Sequence, residues 1–583
     1  GLGYGEQKPV RFDLTHRQML QDAPAASDLQ PPRVETTGIQ VEDWKDTTMP
    51  KLNGKALTLE SYERSRSLAI TPDGQYFVLG ANWTLRLFDQ EGREQWQRAV
   101  PGTVWGVNVS GDGRLIVAAY GDGTVRWHRL DDGEELLALF VHPDGKCWVV
   151  WTPQGYYDAA PGADRLIGWH VNRGSDQAAD FYAAAQFQER FYRPAVIAQV
   201  LKTLDVAEAV RLTETAVAKA APAPSLATQK PPIIDIAYPA GDTEVRETNL
   251  TVTYHVRSPS GSRIKEIIAT ANGRPIQTGT RKPLTATPAE ETGTLALTLP
   301  MEDATLALLA TTESGQTSQP ATLNVRWRGA VDAFKPTLYV LAIGVRKYKT
   351  YNPLKFADRD AQEFIKRVQQ QKGQLYKDVQ VKPLLNEQAD RIAILDGFDW
   401  IRRQTTQHDV AIVFISGHGI NDHQGEYYLL PYDIEGSKLF ATGISKSEIS
   451  RVLNQTAGKL VIFLDTCYAG GAQSRNIKGG LQADINGVVN ELAKTGRGAV
   501  VFASSTGNQV SVELDEFKHG AFTKALLEGL NGKADLLKDG FISTSELDAF
   551  VSNRVKELTR GEQMPTTAKP DTTPDLRLLV APR

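Results

Sequence analysis

Beyond residue 335 the sequence contains nearly unbroken apolar runs, and these constrain the fold of the chain more than any other feature. The runs lie at residues 338–345, 409–416, 459–465 and 498–505. A strand that is apolar at every position is buried on both faces, as in a parallel sheet that helices cover. Segments with helical spacing, at residues 360–371 and 389–403, lie between the runs. The sequence therefore predicts a mostly parallel α/β sheet, with functional residues at the carboxyl ends of its strands.

Two of these runs lead directly into reactive residues that glycines flank. His418 follows one run and Cys467 follows another, 49 positions later. An imidazole within reach of a thiol can take its proton, which yields the thiolate that attacks a carbonyl carbon. We expect both residues to lie in turns without ladder partners, so that the amides of Gly419 and Cys467 form an oxyanion hole. The alternative is a buried, inert Cys467 and a structural His418, but the shared position at strand ends favours catalysis.

The same segments carry a family resemblance. SGHG at residues 416–419 and DTCYAGG at residues 465–471 resemble the catalytic segments of caspases and metacaspases, in which roughly 50 residues separate the histidine and the cysteine. Further resemblance to the family's first strand, first helix and closing segment lies at residues 339–348, 354–364 and 519–530. The resemblance extends over about residues 335–580 and implies a cysteine endopeptidase with a caspase-like fold.

The resemblance also implies a substrate preference. In metacaspases two aspartates and a serine line the pocket for the residue before the scissile bond, and the matching positions here are Asp360, Asp465 and Ser416. A pair of carboxylates attracts the cation of a substrate arginine or lysine. Caspases that cleave after aspartate carry an arginine and a glutamine where this chain has Leu354 and Asp465. We therefore expect cleavage after arginine or lysine; the alternatives are aspartate specificity, or a helix-capping Asp360 beside a structural Asp465.

Calcium dependence is not predicted from the sequence. Calcium-dependent metacaspases carry an acidic residue seven places after the cysteine, where this chain has Ser474. Residues 535–546 resemble an EF-hand loop, but Leu537 occupies a position that requires an oxygen ligand. We expect an ordinary turn and helix cap there, and no metal or other cofactor for the chain.

The segment that follows the cysteine has two interpretations. Residues 471–490 are polar and rich in glycine, and they contain Arg475 and Lys478. Both residues match the expected specificity, so autocleavage of a zymogen at this segment is one hypothesis. The other is a mobile loop that is never cut.

The first part of the chain, residues 1–175, contains a weak internal repeat. Strand-like segments at residues 9–14, 84–89, 124–129 and 166–171 recur together with the turn motifs TPDG, SGDG and HPDG at residues 71–74, 110–113 and 142–145. This pattern resembles WD-repeat propeller sequence, although only three or four partial blades fit where a closed propeller needs about four to eight. The sequence therefore predicts a partial, propeller-like all-β region whose edges further blades or a regulatory protein partner would cover.

Two further units separate this region from the caspase-like domain at residues 335–583. Within residues 176–232, helical spacing at 178–220 precedes a linker rich in proline and alanine. Residues 233–330 predict about seven short strands of an immunoglobulin-like β-sandwich that lacks the usual cysteine pair. The prediction is thus a multidomain chain with β domains before an α/β peptidase domain.

Composition excludes several function classes. A formal net charge of −4 over 583 residues gives no basic field for nucleic acid. No apolar run is long enough to predict a membrane span. Two distant cysteines, Cys147 and Cys467, argue against a disulfide framework, so we expect a cytoplasmic location. Protein substrates and a role in prokaryotic signalling or defence follow from the resemblance; the alternative is a catalytically silent scaffold.

Overall fold

In the computed structural model the chain forms two compact units. The first contains Gly1–Thr15, Met19–Ile167 and Arg190–Pro222, and the second contains His16–Gln18, Gly168–Glu189 and Ala223–Arg583. The described residues are 10–14, 18–21, 29–172, 175–176, 178–213, 230–276, 278, 282–287, 289–329, 335–422, 426–468, 485–493, 498–505, 511–570 and 572–582.

The first unit is built mainly from antiparallel sheets. Its strands are β1 (Val10–Asp13), β2 (Gln18–Gln21), β3 (Glu35–Thr36), β4 (Ile39–Glu42), β5 (Lys51–Leu52), β6 (Lys55–Ala56), β7 (Ser65–Ile70), β8 (Tyr76–Ala81), β9 (Thr84–Asp89), β10 (Glu94–Ala99), β11 (Val104–Val109), β12 (Leu115–Tyr120), β13 (Thr124–Arg129), β14 (Glu135–Val141), β15 (Trp148–Trp151) and β16 (Tyr157–Ala159). Strands β7 to β10 form one meander and β11 to β16 form another. The repeated turn motifs are confirmed, because the amides of Gly74, Gly113 and Gly145 each donate to the carbonyl three residues earlier. The partial, WD-repeat-like propeller stays a prediction.

The segment predicted to be helical at 178–220 is helical only in part. Its elements and the preceding strand are β17 (Gly168–Val171), β18 (Asp180–Ala183), α1 (Gln188–Phe191), α2 (Pro194–Thr203) and α3 (Val206–Thr213). The helix prediction is wrong for Asp180–Ala183, where Tyr182 pairs with Trp169 across an antiparallel ladder. Both rings also pack edge-on against Phe187, and such aromatic contacts favour a strand over helix propensity. Residues 214–229, with most of the predicted linker, lie outside the described residues.

The second unit contains a sandwich of two sheets. Its strands are β19 (Ile233–Tyr238), β20 (Thr243–Val245), β21 (Asn249–Arg257), β22 (Ile264–Ala271), β23 (Arg274–Pro275), β24 (Lys282–Thr287), β25 (Glu290–Thr298), β26 (Ala304–Thr312) and β27 (Ala321–Trp327). One sheet has the order β19, β21, β25, β24 and the other has the order β20, β27, β26, β22, β23. Apolar residues of both sheets, such as Val252 and Leu308, form one buried core. Short β20 and β23 bring the described strands above the seven that were predicted.

The rest of the second unit is an α/β sheet. Its elements are β28 (Thr337–Gly344), α4 (Ala357–Gln369), β29 (Asp378–Leu385), α5 (Arg391–Gln404), β30 (Val410–Asn421), β31 (Tyr427–Leu429), α6 (Leu439–Thr442), β32 (Ile444–Ser445), α7 (Lys446–Leu453), β33 (Lys459–Tyr468), α8 (Ile485–Leu492), β34 (Val500–Ala503), β35 (Glu513–Leu514), β36 (His519–Gly520), α9 (Ala521–Glu528), β37 (Phe541–Ser543), α10 (Thr544–Leu558), β38 (Thr566–Ala568) and β39 (Arg577–Val580). The order is β29, β28, β30, β33, β34, β38. All neighbours are parallel except β34 and β38, so the predicted mostly parallel sheet is confirmed.

Helices cover this sheet on both faces. Residues of α5, α7 and α8 belong to one buried apolar cluster with the sheet, and residues of α4, α9 and α10 belong to the other. This double cover explains why the four strand sequences are apolar at nearly every position. Among the helices of the described ranges, none has both the length and the apolar character to cross a membrane.

A polar contact joins the sandwich to the α/β sheet within the second unit. The fully buried guanidinium of Arg274, on β23, donates to the carbonyls of Leu453, Thr456 and Gly458. These carbonyls lie between the end of α7 and the start of β33. The next residue, Lys459, forms an ion pair of 2.8 Å with Glu302. The sandwich is therefore bonded to the segment from which β33 begins.

Candidate active site

The predicted catalytic residues lie at the carboxyl ends of two neighbouring strands. In the parallel register between β30 and β33, His418 is the partner of Cys467, and Ser416 is the partner of Asp465. Strands in a sheet lie about 4.8 Å apart, so the backbones of the two catalytic candidates are adjacent. Because side chains alternate along a strand, the positions of Ser416, His418 and Asp465 belong to one face of the sheet. This is the face that α4 and α9 cover.

The expectation that these residues lie in turns is wrong. Strand β30 continues past His418, and Gly419 has register partners on both sides, Leu429 of β31 and Tyr468 of β33. The hairpin to β31 extends the ladder, which is why the strand does not stop at the glycines. A Cβ atom on Gly419 would clash with the Tyr427 hydroxyl oxygen. Glycine is needed here because the Tyr427 side chain approaches the backbone closely. The oxyanion hole formed by the amides of Gly419 and Cys467 stays a prediction.

Aromatic residues and a carbonyl fix the position of His418. The residue is 6% exposed, and its amide donates to the Tyr348 hydroxyl oxygen at 2.7 Å. The ring packs against the rings of Tyr348 and Tyr351, with centroids 5.0 and 5.8 Å away. Nε2 lies 3.1 Å from the carbonyl oxygen of Asn352. A carbonyl only accepts, so this bond holds the proton on Nε2 and leaves Nδ1 as the basic nitrogen of the neutral ring.

The two predicted pocket aspartates are buried close to each other. Asp360 and Asp465 are 2% and 3% exposed. Asp360 Oδ1 lies 2.6 Å from His519 Nδ1, and its Oδ2 accepts a hydrogen bond from the Gly520 amide at 3.2 Å. Asp465 Oδ2 accepts a hydrogen bond from the Thr523 hydroxyl at 2.6 Å. We refer to Asp360 and Asp465 as the acidic pair.

Asp360 does not cap its own helix. Helix α4 has Phe356 at its N-cap, and Asp360 lies one turn further on. The capping alternative is therefore wrong for Asp360, whose oxygens bond to β36 instead. Asp465 lies inside β33, with Ser416 as its register partner. The structure thus brings the three predicted pocket positions to one edge of the sheet.

Burial controls the ionisation of the acidic pair. Burial, with a smaller contribution from the nearby Asp360 carboxylate, raises the pKa of Asp465 to about 7. Burial also raises the pKa of Asp360, while the bond from His519 opposes that shift. Gly520 lies against both carboxylates, since a Cβ atom there would be 2.9 Å from Asp465 Oδ2 and 3.4 Å from Asp360 Oδ2. Two carboxyl groups buried against the same glycine are seldom ionised at the same time unless a cation binds beside them.

Sequence reasoning did not assign a role to His519. The residue opens the closing segment HGAFTKALLEGL, which was noted only for its family resemblance. A histidine beside glycine at the start of a helical stretch gave no signal of its own. Its contact with Asp360 spans 159 positions of the chain, and only the fold brings the two residues together.

The remaining predicted sites have mixed outcomes. Ser474, Arg475 and Lys478 lie outside the described residues, so the calcium-ligand comparison and the autocleavage hypothesis stay predictions. In the EF-hand-like segment, the carboxylate of Asp535 accepts hydrogen bonds from the amides of Asp539 and Gly540. Ser543 and Glu546 form a capping box at the start of α10. The turn and helix cap predicted there are confirmed.

Comparisons with known proteins agree with this architecture. The family model of the caspase domain matches residues 337–576. No curated protein matches the chain. Among solved structures, the chain is similar to the crystal structure of protein GSU0716 from Geobacter sulfurreducens, with 17% identity and a TM-score of 0.32, over 42% of this chain and 100% of that chain. That likeness is too distant to carry an argument. The α/β sheet of residues 337–576 therefore matches the caspase domain of cysteine peptidases.

Proposed function

We propose that the chain is a cysteine endopeptidase that cleaves protein substrates after arginine or lysine. Cys467 is the nucleophile in this proposal, and His418 is its general base. The observation that carries the proposal is the register in which His418 is the partner of Cys467 at the carboxyl ends of β30 and β33. Two reactive residue types that meet there in a caspase domain are a recognised catalytic arrangement.

The proposed reaction follows the acyl-transfer chemistry of cysteine peptidases. His418 Nδ1 takes the thiol proton of Cys467, and the thiolate sulfur attacks the carbonyl carbon before the scissile bond. The C–N bond then breaks, and Nδ1 gives the proton to the leaving amine. A water molecule transfers a proton to Nδ1 and cleaves the thioester, after which the sulfur regains its proton. The Asn352 carbonyl keeps the other ring nitrogen protonated throughout.

The charge of the acidic pair supports the proposed specificity. A guanidinium or ammonium group added beside Asp360 and Asp465 would relieve the repulsion between two buried carboxylates. Arginine has the further advantage of a planar group with several donors. A substrate aspartate would instead add a third carboxylate to the same site, which disfavours it by several kcal/mol.

Peptide cleavage by the purified chain tests the proposal. Fluorogenic peptides that end in arginine, lysine or aspartate would be offered to the full chain and to Cys467→Ala, with and without calcium. Cys147→Ala is the matched control, because burial and the neighbouring Asp144 raise the pKa of that thiol to about 12. We expect cleavage after arginine and lysine that Cys467→Ala abolishes and Cys147→Ala retains.

Each contrary result identifies a different error. Cleavage after aspartate alone would refute the role of the acidic pair and leave the peptidase. Loss of activity in Cys147→Ala with retention in Cys467→Ala would refute the nucleophile. An inactive chain whose β domains still capture a protein would favour the silent scaffold. Regulation through the β domains, as a zymogen in signalling or defence, remains a part of the proposal that rests on the domain arrangement alone.

A further inference from the structure

His519 lies beside the acidic pair. In the proposed function, this is where the cation of the substrate side chain would bind. Its Nδ1 lies 2.6 Å from Asp360 Oδ1, the separation of a hydrogen-bonded ion pair when the ring is protonated. The side chain is 11% exposed, and it also lines an open cleft of about 350 Å³ between α4 and α9. The ring is thus in contact with a buried carboxylate and lies next to a solvent-filled space.

We propose that His519 determines how strongly the acidic pair binds a substrate cation, and that its protonation weakens the binding of arginine and lysine. This inference rests on the proposed function, since it assumes that the acidic pair receives the side chain before the scissile bond. In the protonated state the imidazolium neutralises Asp360 and repels a second cation. In the neutral state the same Nδ1–H still donates to Asp360, which remains oriented and keeps its negative charge for the substrate.

The size of the repulsion between the protonated ring and the substrate cation follows from their distance and burial. Two unit positive charges about 6 Å apart, at an effective dielectric constant near 20, repel by enough to change an equilibrium constant about a hundredfold. Relaxation of the substrate side chain and partial exposure reduce this value. We therefore expect protonation of His519 to weaken the binding of an arginine side chain by about tenfold.

Other charged groups surround the His519 ring, and their effects on cation binding have to be distinguished from its own. Those contributed by α4, β33, β35 and α9 are Asp360, Glu363, Lys366, Arg367, Asp465, Glu513, Lys524 and Glu528. Asp465 changes charge near neutral pH, because burial and the Asp360 carboxylate raise its pKa to about 7. Its ionisation also strengthens cation binding as pH rises. Substitution of His519 should therefore remove one of the two contributions to the pH dependence of cation binding. The contribution of Asp465 should remain.

Binding measurements on an inactive chain isolate this effect from catalysis. The full chain with Cys467→Ala would be titrated in a calorimeter with a short peptide that ends in arginine, and with a matched peptide in which neutral citrulline replaces the arginine, at pH 6 and pH 8. The same titrations would be made after adding His519→Asn, whose side-chain amide can donate in place of Nδ1 but does not titrate. His519→Gln provides a second neutral replacement, and circular dichroism checks that each variant is folded.

We expect His519→Asn to bind the arginine peptide about tenfold more tightly at pH 6 and nearly unchanged at pH 8. Citrulline binding should not respond. Lys524→Gln is the control, because it removes a positive charge from the same cleft without touching Asp360; its effect should be small and equal at both pH values. Equal pH dependence with and without His519, or weaker arginine binding at both pH values in its absence, would overturn the inference alone. Equal binding of arginine and citrulline peptides by the parent chain would instead refute the acidic pair as a cation site, and the inference with it.

Discussion

Replacing Arg274 with methionine tests how tightly the sandwich is joined to the caspase domain. The guanidinium is fully buried, and burial lowers its pKa to about 9, so the group is charged at neutral pH. It donates to three backbone carbonyls, one of which belongs to Leu453, the last residue of α7. A cation at the carboxyl end of a helix is favourable. Methionine has a similar length and fills much of the same space, but it leaves all three carbonyls without this donor.

The expected loss follows from opposing contributions. Each hydrogen bond from a charged donor contributes about 1.5–3 kcal/mol, and a buried acceptor that loses its donor costs a similar amount. The burial of the guanidinium costs several kcal/mol, which methionine avoids. The difference leaves a net loss of about 3 kcal/mol in the free energy of unfolding for Arg274→Met, within the usual range for breaking a buried polar contact.

Differential scanning calorimetry of the full chain, with hydrogen exchange at residues 453–459, measures this loss. A chain of several domains need not unfold in one step, so the exchange data identify the transition that contains the contact. Lys459→Met is the matched control at the same contact, because the ion pair with Glu302 is 31% and 43% exposed and should contribute less than about 1 kcal/mol. A loss for Arg274→Met no larger than that of the control would refute the reasoning.

Three further changes test the site. Gly520→Ala forces a Cβ atom to within 2.9 Å of Asp465 Oδ2, and we expect at least about a tenfold loss of kcat/KM on an arginine peptide with an unchanged circular dichroism spectrum. Tyr348→Phe removes the oxygen that accepts the His418 amide; thermal unfolding should show a loss of about 1 kcal/mol, and kcat should fall several-fold. Asp465→Asn tests the raised pKa of Asp465. Because the folded chain holds this carboxyl proton more tightly than the unfolded chain does, the contribution to stability is fully present below about pH 4 and is lost as pH rises through about 7. The variant should therefore exceed the parent in stability by on the order of 3 kcal/mol at pH 8 and match it at pH 4, and a difference that does not depend on pH would contradict the assignment.

Periodicity was sufficient to predict the parallel α/β sheet, whereas the caspase-like domain was predicted from its resemblance to the family. Apolar runs located the central strands to within a few residues, and helical spacing located α4 and α5. The pairing of β30 with β33 follows from the same physics, because consecutive parallel strands buried on both faces tend to be neighbours. The exact register of His418 opposite Cys467 is a property of the sheet. Sequence could indicate that both lie at strand ends, but not that they are partners.

The predictions that the structure contradicts concern residues whose contacts come from distant parts of the chain. Glycines after an apolar run normally indicate a turn, yet Gly419 continues a strand because β31 and Tyr427 lie against it. Arg274 follows an Asn-Gly pair, which indicates an exposed hairpin. The fold instead buries its guanidinium against carbonyls about 180 positions away. Local propensity contains no information about such a partner.

The energetics of the acidic pair argue that it serves function more than stability. Burial raises the pKa of both carboxyl groups, so ionised Asp465 lowers the stability of the folded chain at neutral and alkaline pH. Hydrogen bonds from Thr523 and Ser504 favour the charged form, but they do not offset its burial, since the pKa of Asp465 is still raised to about 7. A structural role therefore does not account for a carboxylate at this position. The proposed binding of a substrate cation would account for it, because the unfavourable charge becomes favourable only when a positive group arrives beside it.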